Sequence, residues 1–596
     1  MNSRAFKLRF RRRLRMRKLQ VEELGQQAEQ QLERNFFRRL ERLANVRRFA
    51  GTWLLLMLLL AGCLAGQMSA LRHYYQHATP VAGGTYTEGI LGSFTDANPL
   101  YATSQVDISV SRLLFSSLLT YDAKNNLVGD LAKDWSVDDS GRLYTVHLKP
   151  NVKWHDGKPF TSADVAFTYA VIQNQDARSP LNPSWQGVAV TAIDPLTVTF
   201  KLPNTLSSFP YSLTNGIVPK HILGGRPMNA LRSLPFNTAE PVGTGPFSLS
   251  TLEVSGDTVD NRQERVALDA FRDYYGGRPK LDRFVIDTFR SKDAMLKSFK
   301  AQKINAMVGL TQVPDEFKKD ANIWKYSMPL AAEVMVFFKT SVAPMSDATL
   351  RQALVRATNV PAVIAGLNYP TLPVREPLLP KQLGYNPAYA QAGFDLDAAE
   401  KMLDQDGWLV GKGGIRYKNG TPLTFSLHAP DNSEYTSVAT TLQKQWRQAG
   451  VDLKVVLESD TDFQNTLSNH SYDALLYGIS VGQDPDVFVY WDSKYADVRV
   501  QNRLNFSEYR SGTADAALQA GRTRTDPALR VVKYQPFLQA WQTDAPAVGL
   551  YQPHFLYITR GKVFGLDERT MNNAIDRYST VAQWMIREKD ISQTRK

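Results

Sequence analysis

The sequence predicts a mixed α/β (α+β) fold with one apolar helix near its N terminus. Strand and helix patterns alternate along the chain, and no internal repeat or low-complexity block interrupts them. The alternating run 143–148 predicts a strand, the capped amphipathic segment 347–359 a helix, and the segment 438–459 a helix followed by a strand. With 596 residues, of which 43% are hydrophobic, the chain can form several units with large cores.

Nearly all of the net positive charge lies in the N-terminal tail. Residues 1–50 contain fifteen Lys/Arg and five Glu, a net charge of +10, which leaves +2 for the other 546 residues. A nearly neutral body lacks the broad basic face that neutralises phosphates, so no nucleic-acid partner is expected. Within 1–48, apolar side chains recur at mostly four-residue steps, which predicts a basic amphipathic helix.

Residues 49–71 predict attachment to a membrane. The stretch Thr52–Leu71 is uncharged and long enough to span a bilayer. Two arginines and the basic tail precede it, which by the positive-inside rule places 1–48 in the cytoplasm and the body outside. Its Leu60-Ala61-Gly62-Cys63 resembles the lipobox of bacterial lipoproteins, in which the cysteine is acylated. An uncleaved transmembrane helix and a lipidated Cys63 are therefore the two alternatives.

The segment 152–169 contains a histidine, an aspartate, a lysine and a threonine, as some active sites do. Its pattern predicts architecture instead, because Asp156-Gly157 is a turn signal and Thr161 with Asp164 forms a capping box for the helix that follows. We therefore expect His155 and Asp156 to hold a turn between a strand and a helix.

Few motifs suggest catalysis. The only cysteine, Cys63, excludes an intrachain disulfide and a cysteine-based zinc site, and the histidines are scattered. The motif Gly478–Gly482 matches G-x-S-x-G, but Pro485 follows where a nucleophile elbow needs a helix. No catalytic residue, metal site or cofactor is predicted, and a serine hydrolase that uses Ser480 is kept as an alternative.

Seven segments resemble the family 5 extracellular solute-binding proteins, the peptide and nickel receptors of ABC importers. The signature segment contains Trp154, Asp156-Gly157 and Asp164-Val165. The others follow in the family's order and together extend the resemblance over about 83–585. They are Asn98–Ser104, Pro241–Phe247, Tyr274–Asp282, Leu350–Asn359, Gly521–Arg530 and Asp544–Tyr557.

The resemblance implies a two-lobed, periplasmic-binding-protein-like fold of type II with an extra subdomain. Lobe I would comprise 83–120, 215–330 and 545–590, the subdomain 121–214, and lobe II 331–544. The lobes would close on a ligand by a hinge motion. The implied function is that of a receptor outside the membrane, in the periplasm or on the cell exterior. It would capture oligopeptides or a related small polar solute and deliver them to an ABC permease and ATPase on other chains.

The resemblance also implies where a ligand binds. In peptide-binding relatives an aspartate before a final Asp-Pro pairs with the amino terminus of the peptide, and the alignment places Val481 at that position. Asp484 or Asp486 would substitute if the loop shifts. Tyr490 is a neighbouring aromatic residue, and a core position is the alternative for it and for Trp491. The ligand-binding candidates are Asn98, Tyr101, Tyr477, Gln483, Asp484, Asp486 and Trp491.

The basic tail supports a second function. A transport receptor needs no long cytoplasmic helix, whereas a membrane-anchored sensor or adaptor would signal through one. Both functions use the same exterior body, so the sequence leaves both open.

Overall fold

The computed structural model describes residue 25 and residues 47–258, 262–367, 369, 371–500 and 503–592. The chain divides into two compact units, one of 1–79 with 588–596 and one of 80–587. The amphipathic helix predicted within 1–48 lies outside the described residues except at residues 25, 47 and 48.

The strands and α-helices of the described residues are numbered in chain order. The strands are β1 (Gln76–Val81), β2 (Thr85–Leu91), β3 (Leu119–Tyr121), β4 (Leu127–Gly129), β5 (Ala132–Val137), β6 (Leu143–Leu148), β7 (Ala189–Asp194), β8 (Thr197–Lys201), β9 (Phe247–Ser255), β10 (Gln263–Ala270), β11 (Arg283–Phe289), β12 (Ala306–Val308), β13 (Ile323–Pro329), β14 (Ala332–Phe338), β15 (Leu409–Val410), β16 (Arg416–Lys418), β17 (Thr421–Pro422), β18 (Thr424–Pro430), β19 (Asp452–Glu458), β20 (Ala474–Ser480), β21 (Ala547–Tyr551), β22 (His554–Arg560) and β23 (Arg587–Ser592). The helices are α1 (Arg47–Tyr75), α2 (Gln105–Leu114), α3 (Ser162–Gln173), α4 (Asn182–Trp185), α5 (Lys220–Leu223), α6 (Lys292–Lys300), α7 (Ala348–Arg356), α8 (Val360–Ala365), α9 (Leu396–Gln405), α10 (Ser433–Gln448), α11 (Asp460–Asn469), α12 (Phe488–Trp491), α13 (Gly512–Arg522) and α14 (Pro527–Asp544).

The first unit contains α1 and the pairing of β1 with β23. Within α1, the window Gly51–Met68 is apolar and long enough to cross a membrane, and none of it is buried. The thiol of Cys63 is free and exposed. This is the helix that the sequence predicts at 49–71.

The second unit contains a mixed seven-stranded sheet in the order β13-β22-β12-β2-β11-β10-β9. The central strand β2 pairs in parallel with β11 and β12, and the remaining pairs are antiparallel. A four-stranded antiparallel sheet, β5-β6-β8-β7, lies beside α3, and its buried side chains belong to the same apolar cluster as those of β2 and β11.

A five-stranded sheet in the order β19-β18-β20-β14-β21 forms a separate part of the second unit. Side chains alternate along β14. Val334 and Val336 pack on one face with α7 and α10, whereas Met335 and Phe337 pack on the other with Trp491 and α14. Both faces of this sheet are therefore covered.

The chain crosses between the two large sheets at two adjacent links. The link Leu330-Ala331 joins β13 to β14, and the link Gln552-Pro553 joins β21 to β22. The Leu330 N–H donates to the Pro553 carbonyl at 2.9 Å, and the Gln552 side-chain amide donates to the Leu330 carbonyl at 2.7 Å. The sequence places the last lobe boundary at 545, before this second link. β21 (Ala547–Tyr551) belongs to the five-stranded sheet, so the return to the other sheet comes at 552–553.

The segment 152–169 has the architecture that the sequence predicts. Asp164 accepts the Thr161 N–H at 2.9 Å, and the two residues form the capping box of α3. The His155 Nδ1 accepts the Gly243 N–H at 3.1 Å, and its Nε2 donates to the Gly245 carbonyl at 3.1 Å. Burial lowers the pKa of His155 to about 4, so the ring is neutral at pH 7. His155 therefore attaches this turn to the segment 241–247.

Candidate functional site

The loop 481–487 follows β20 and lies beside the first crossing link. The N–H groups of Val481 and Gly482 both donate to the Ala331 carbonyl at 3.0 Å. The Gln382 side-chain amide donates to the Gly482 carbonyl at 2.9 Å, and Gly482 has a φ of +63°, where a glycine is least strained. The loop is thus fixed to the link at which the chain changes sheets.

Gln483 connects this loop to two distant segments. Its side-chain oxygen accepts a hydrogen bond from the Asn125 amide at 3.1 Å. The side chains of Asn125 and Asn572 exchange two further hydrogen bonds, of 3.2 and 2.8 Å. Asn125 is 3% exposed. One amide cluster therefore joins residues of three segments, 121–214, 331–544 and the last part of the chain. Gln483, a predicted ligand-binding candidate, belongs to this cluster.

Asp484 is held in a buried ion pair. Its two carboxyl oxygens accept bonds of 2.8 and 2.6 Å from Arg530, a bidentate geometry that is strong and specific. Both side chains are less than a tenth exposed. Asp484 therefore fixes the loop to α14.

Asp486 is also engaged within the chain. Its Oδ2 accepts a hydrogen bond of 2.7 Å from the Ser208 hydroxyl and lies 3.2 Å from the Arg522 guanidinium. Burial raises the pKa of Asp486, although Arg522 opposes the shift. That Asp484 or Asp486 substitutes as an amine-binding carboxylate stays a prediction, and in this structure both carboxylates have arginine partners.

Two stacked tyrosines that the sequence reasoning missed lie within reach of the charge of Asp484. The rings of Tyr121 and Tyr211 stack with their centroids 6.4 Å apart. Burial raises the pKa of both hydroxyls, and the negative charge of Asp484 raises both further, which places them near the loop. Tyr121 is the last residue of a short strand and directly precedes a turn, so only the folded chain brings it to this loop.

The aromatic candidates around β20 have different positions. The Tyr477 ring packs against Phe463 and Phe506, and Tyr490 donates its hydroxyl to the Ser480 carbonyl at 2.8 Å. Trp491 is completely buried, with its ring centroid 5.7 Å from those of Phe337 and Trp541. Trp491 therefore has the core position that is the alternative to a ligand contact, and its role as a ligand contact stays a prediction.

Asn98 and Tyr101 lie at the other predicted loop. The Asn98 side chain accepts the Leu100 N–H at 3.0 Å and donates to Asn237 at 3.0 Å, so it holds the turn. The Tyr101 ring lies 5.6 Å from the Arg232 guanidinium, and its buried hydroxyl has no partner among the described residues. Burial raises the pKa of Tyr101 to about 12.

The arrangement at Ser480 differs from that of a nucleophile elbow. Ser480 ends β20, and a loop follows until α12 begins at Phe488. Among the described residues no histidine hydrogen-bonds to Ser480, and His554 instead lies 2.9 Å from the Ser327 hydroxyl. The same part of the chain contains no group of three His, Cys, Asp or Glu side chains placed to hold a metal ion.

Two buried glutamates, Glu333 and Glu376, were also missed by the sequence reasoning. Glu333 shares the face of the five-stranded sheet that includes Met335, whose apolar cluster contains Val481 of the loop, and Glu376 is near enough for its charge to act on Glu333. A glutamate inside the otherwise apolar run 331–338 is the sequence signal that could have identified the first of them.

Comparisons with known proteins cover most of the chain. The model of the bacterial extracellular solute-binding proteins, family 5 (middle part), matches residues 126–498. The oligopeptide-binding protein AppA of Bacillus subtilis is 27% identical over 515 residues, 84% of this chain and 92% of AppA. NikZ from Campylobacter jejuni, crystallised in complex with Ni(L-His), is 25% identical with a TM-score of 0.71, over 84% of this chain and 99% of NikZ. The ABC transporter substrate-binding protein CtaP from Listeria monocytogenes is 22% identical with a TM-score of 0.73, over 85% of this chain and 99% of CtaP.

Proposed function

Because the chain belongs to the bacterial extracellular solute-binding proteins of family 5, we propose that it is the substrate-binding receptor of an ABC importer. It captures an oligopeptide or a related small polar solute outside the membrane and delivers it to a permease whose ATPase is another chain. The observation that carries this proposal is the position of the loop 481–487. The loop lies beside both links between the sheets and reaches Asn125 and Ser208 in the segment 121–214.

The proposed mechanism is closure without covalent chemistry. The links at 330–331 and 552–553 are two short adjacent segments, the kind of place where a hinge absorbs backbone rotation. Opening breaks the hydrogen bonds of Asn125 with Gln483 and of Ser208 with Asp486, and a bound solute then stabilises the closed form. We propose lobe I, its subdomain and lobe II with the predicted bounds, except that the last crossing is at 552–553.

The ligand class is narrowed by the charges of the loop. AppA is named as an oligopeptide-binding protein, and NikZ was crystallised with Ni(L-His). In this chain Val481 is apolar and 7% exposed, and the two loop aspartates have arginine partners. A free amino group therefore finds no unpaired carboxylate in the loop itself, and a charged ligand needs a carboxylate from another element.

Attachment to the membrane is part of the proposal. The apolar window Gly51–Met68 serves either as a transmembrane anchor or as a signal segment that ends in lipidation of Cys63. The intact mass of the mature protein distinguishes the two. A mass that begins at Met1 supports the anchor, whereas a diacylglycerol-modified product that begins at Cys63 supports lipidation.

The receptor function is tested by what the purified full chain carries. Mass spectrometry of the small molecules released by acid from the detergent-solubilised protein is expected to find one solute or a family of short peptides at near one equivalent. Absence of any solute, together with no loss of uptake in a deletion strain, would contradict the proposal.

The charge of the tail supports the second candidate, a solute sensor or adaptor. Residues 1–50 carry a net charge of +10, which a transport receptor does not require. Deleting 1–45 distinguishes the two functions. Unchanged solute uptake and unchanged gene expression favour the importer, whereas unchanged uptake with loss of a solute-dependent transcriptional response favours the sensor.

A further inference from the structure

Two buried carboxyl groups beside the loop 481–487 lack a positively charged partner. Glu333, the second residue of β14, is completely buried, and neither of its carboxyl oxygens makes a hydrogen bond to any described residue. Glu376 is 1% exposed. Its Oε2 accepts one long hydrogen bond of 3.3 Å from the Asn386 N–H, and its Oε1 has no partner in the described part of the chain. We call these two residues the carboxyl pair.

The carboxyl pair lies in an apolar surrounding. Because side chains alternate along a strand, Glu333 shares the sheet face of Met335 and Phe337. Their cluster also contains Val481 from the loop and Leu378, two residues after Glu376. Burial raises the pKa of Glu333 well above its ordinary value, and the negative charge of Glu376 raises it further. Burial also raises the pKa of Glu376, to about 7.

No cation of the described chain compensates these groups. Neither glutamate forms an ion pair with a described residue, and no positive charge counteracts the raised pKa of either. Arg375, next to Glu376 in sequence, donates to the Gln391 carbonyl instead. Burying a carboxyl group without a partner is unfavourable. A positive group that enters from outside the chain would remove this penalty.

The chemistry of the surroundings favours an organic cation over a metal ion. The carboxyl pair has no third His, Cys, Asp or Glu ligand in the described residues, and divalent cations require more oxygen ligands than two carboxylates provide. Tyr490 and Tyr385 lie near enough that the charges of Glu333 and Glu376 raise the pKa of their hydroxyls. Aromatic rings beside carboxylates are a favourable environment for an ammonium or guanidinium group.

We propose that Glu333 and Glu376 together bind a positively charged organic group of the solute, an ammonium or a guanidinium group. This inference rests on the proposed receptor function and narrows its ligands to cationic or zwitterionic solutes. Access depends on the loop 481–487, because the carbonyl of Ala331, two residues before Glu333, accepts the N–H groups of Val481 and Gly482. A shift of this loop opens the route to the carboxyl pair, and its return closes the site.

The test uses three synthetic peptides that differ only in positive charge. They are pentaalanine with a free amino group, N-acetyl pentaalanine, and the acetylated peptide with a central lysine, all with the same C terminus. Calorimetric titration of the detergent-solubilised full chain, after removal of co-purified solute, measures each affinity. The free-amine peptide or the lysine peptide is expected to bind at least tenfold more tightly than the neutral peptide. Tighter binding of the free-amine peptide would identify an α-amino group as the bound cation, and tighter binding of the lysine peptide a side-chain ammonium group.

Variants connect that preference to the carboxyl pair. Glu333→Gln is expected to weaken binding of the preferred cationic peptide at least tenfold and to leave the neutral peptide unaffected. Glu376→Gln is expected to have a smaller effect, because one of its oxygens already has a partner. The control is Glu264→Gln, which removes a buried glutamate that is paired with Arg262 and Arg290 in the seven-stranded sheet, and it should bind as the wild type does.

The outcomes separate this inference from the receptor function. Equal affinity of the wild type for all three peptides, or an unchanged affinity of Glu333→Gln for the cationic peptide, would overturn the carboxyl-pair proposal and leave the receptor proposal standing. Binding of none of the peptides by the wild type would overturn the carboxyl-pair proposal, and the solutes released from the purified full chain would then decide the receptor proposal. The wild-type comparison decides by itself if Glu333→Gln does not fold.

Discussion

Glu88 in the seven-stranded sheet and Glu333 in the five-stranded sheet are both completely buried strand residues, but their surroundings are opposite. Glu88 accepts a bond of 2.6 Å from the Arg577 guanidinium and one of 2.6 Å from the Tyr557 hydroxyl, and Tyr578 donates to it as well. Glu333 has none of these contacts in the described chain. One carboxylate is therefore satisfied within the fold, whereas the other lacks the partner that burial normally requires.

The different surroundings of Glu88 and Glu333 suggest different roles for the two residues, one in the stability of the fold and one in binding. A buried carboxylate with an arginine and two tyrosine hydroxyls favours one arrangement of the chain, because removing the arginine leaves an unpaired charge and removing a hydroxyl leaves an oxygen with one hydrogen bond fewer. A buried carboxylate without a partner cannot be explained as a source of stability. Its position beside the loop 481–487 is consistent with binding of a solute, so variants of Glu88 and its partners should change stability and variants of Glu333 should change binding.

The largest effect is expected from removing the partner of Glu88. Arg577→Met leaves the carboxylate buried without a cation, and we expect the free energy of unfolding to fall by about 3–5 kcal/mol. Urea unfolding followed by tryptophan fluorescence measures this change. The double variant Glu88→Gln/Arg577→Met should recover part of the loss, and a single variant as stable as the wild type would show that Glu88 is not a structural group.

A smaller loss is expected at the ion pair of the loop. Arg530→Met breaks the bidentate contact with Asp484, in which both side chains are less than a tenth exposed, and should cost about 2–4 kcal/mol of unfolding free energy. The same denaturation measurement applies, with Asp484→Asn/Arg530→Met as the matched control. If Arg530→Met were neutral, Asp484 would be free to contact a ligand after all.

The carboxyl pair predicts that the free energy of unfolding falls as the pH rises. A carboxylate that is stabilised by a positive partner has the opposite effect, because its contribution grows as the pH rises. Burial raises the folded pKa of Glu376 from 4.5 to about 7, so the folded chain retains this proton where the unfolded chain has released it. The stability that Glu376 contributes is therefore full below its unfolded pKa and is lost as the pH rises through about 7.

Glu376→Gln removes this dependence. Unfolding measured without solute between about pH 5 and pH 8 should show wild-type stability falling relative to the variant by about 2 kcal/mol. Glu264→Gln serves as the control because its carboxylate is paired. A constant difference between wild type and Glu376→Gln over this range would exclude the raised pKa.

The smallest change is expected at Glu333 itself. Glu333→Gln keeps the shape of the side chain and replaces a carboxyl group that has no partner in the described chain, so the free energy of unfolding without solute should stay within about 1 kcal/mol of the wild type or increase. The thermal midpoint of the solute-free protein measures it. A loss as large as that of Arg577→Met would show that Glu333 has a structural partner and would remove the contrast with Glu88.

Local features of this chain were predictable from its sequence. The capping box of Thr161 and Asp164, the strand 143–148 and the apolar helix depend on neighbouring residues, and the structure contains all three. The seven matching segments predicted the family, which the comparisons confirmed. The spacing of neighbouring residues was sufficient to predict the three local features, because each depends on contacts within a few residues of sequence. The order of the seven segments along the chain was sufficient to predict the family.

The chemistry of the candidate site was much less predictable. Asp484 is paired with an arginine 46 residues away, and Gln483 with an asparagine 358 residues away, so neither contact follows from local sequence. For Trp491 the sequence leaves a ligand contact and a core position open, and only the structure shows that its ring packs against Phe337 and Trp541. That Glu333 lacks a partner becomes visible only when all of its neighbours are known.

The most direct test of the account is a structure of the full chain determined with bound free-amine pentaalanine. The account predicts that the peptide lies between the loop 481–487 and the segment 121–214, with its amino nitrogen within about 3 Å of a Glu333 or Glu376 carboxyl oxygen. A peptide whose amino group lies in solvent or against another residue, with the carboxyl pair still unpartnered, would contradict it.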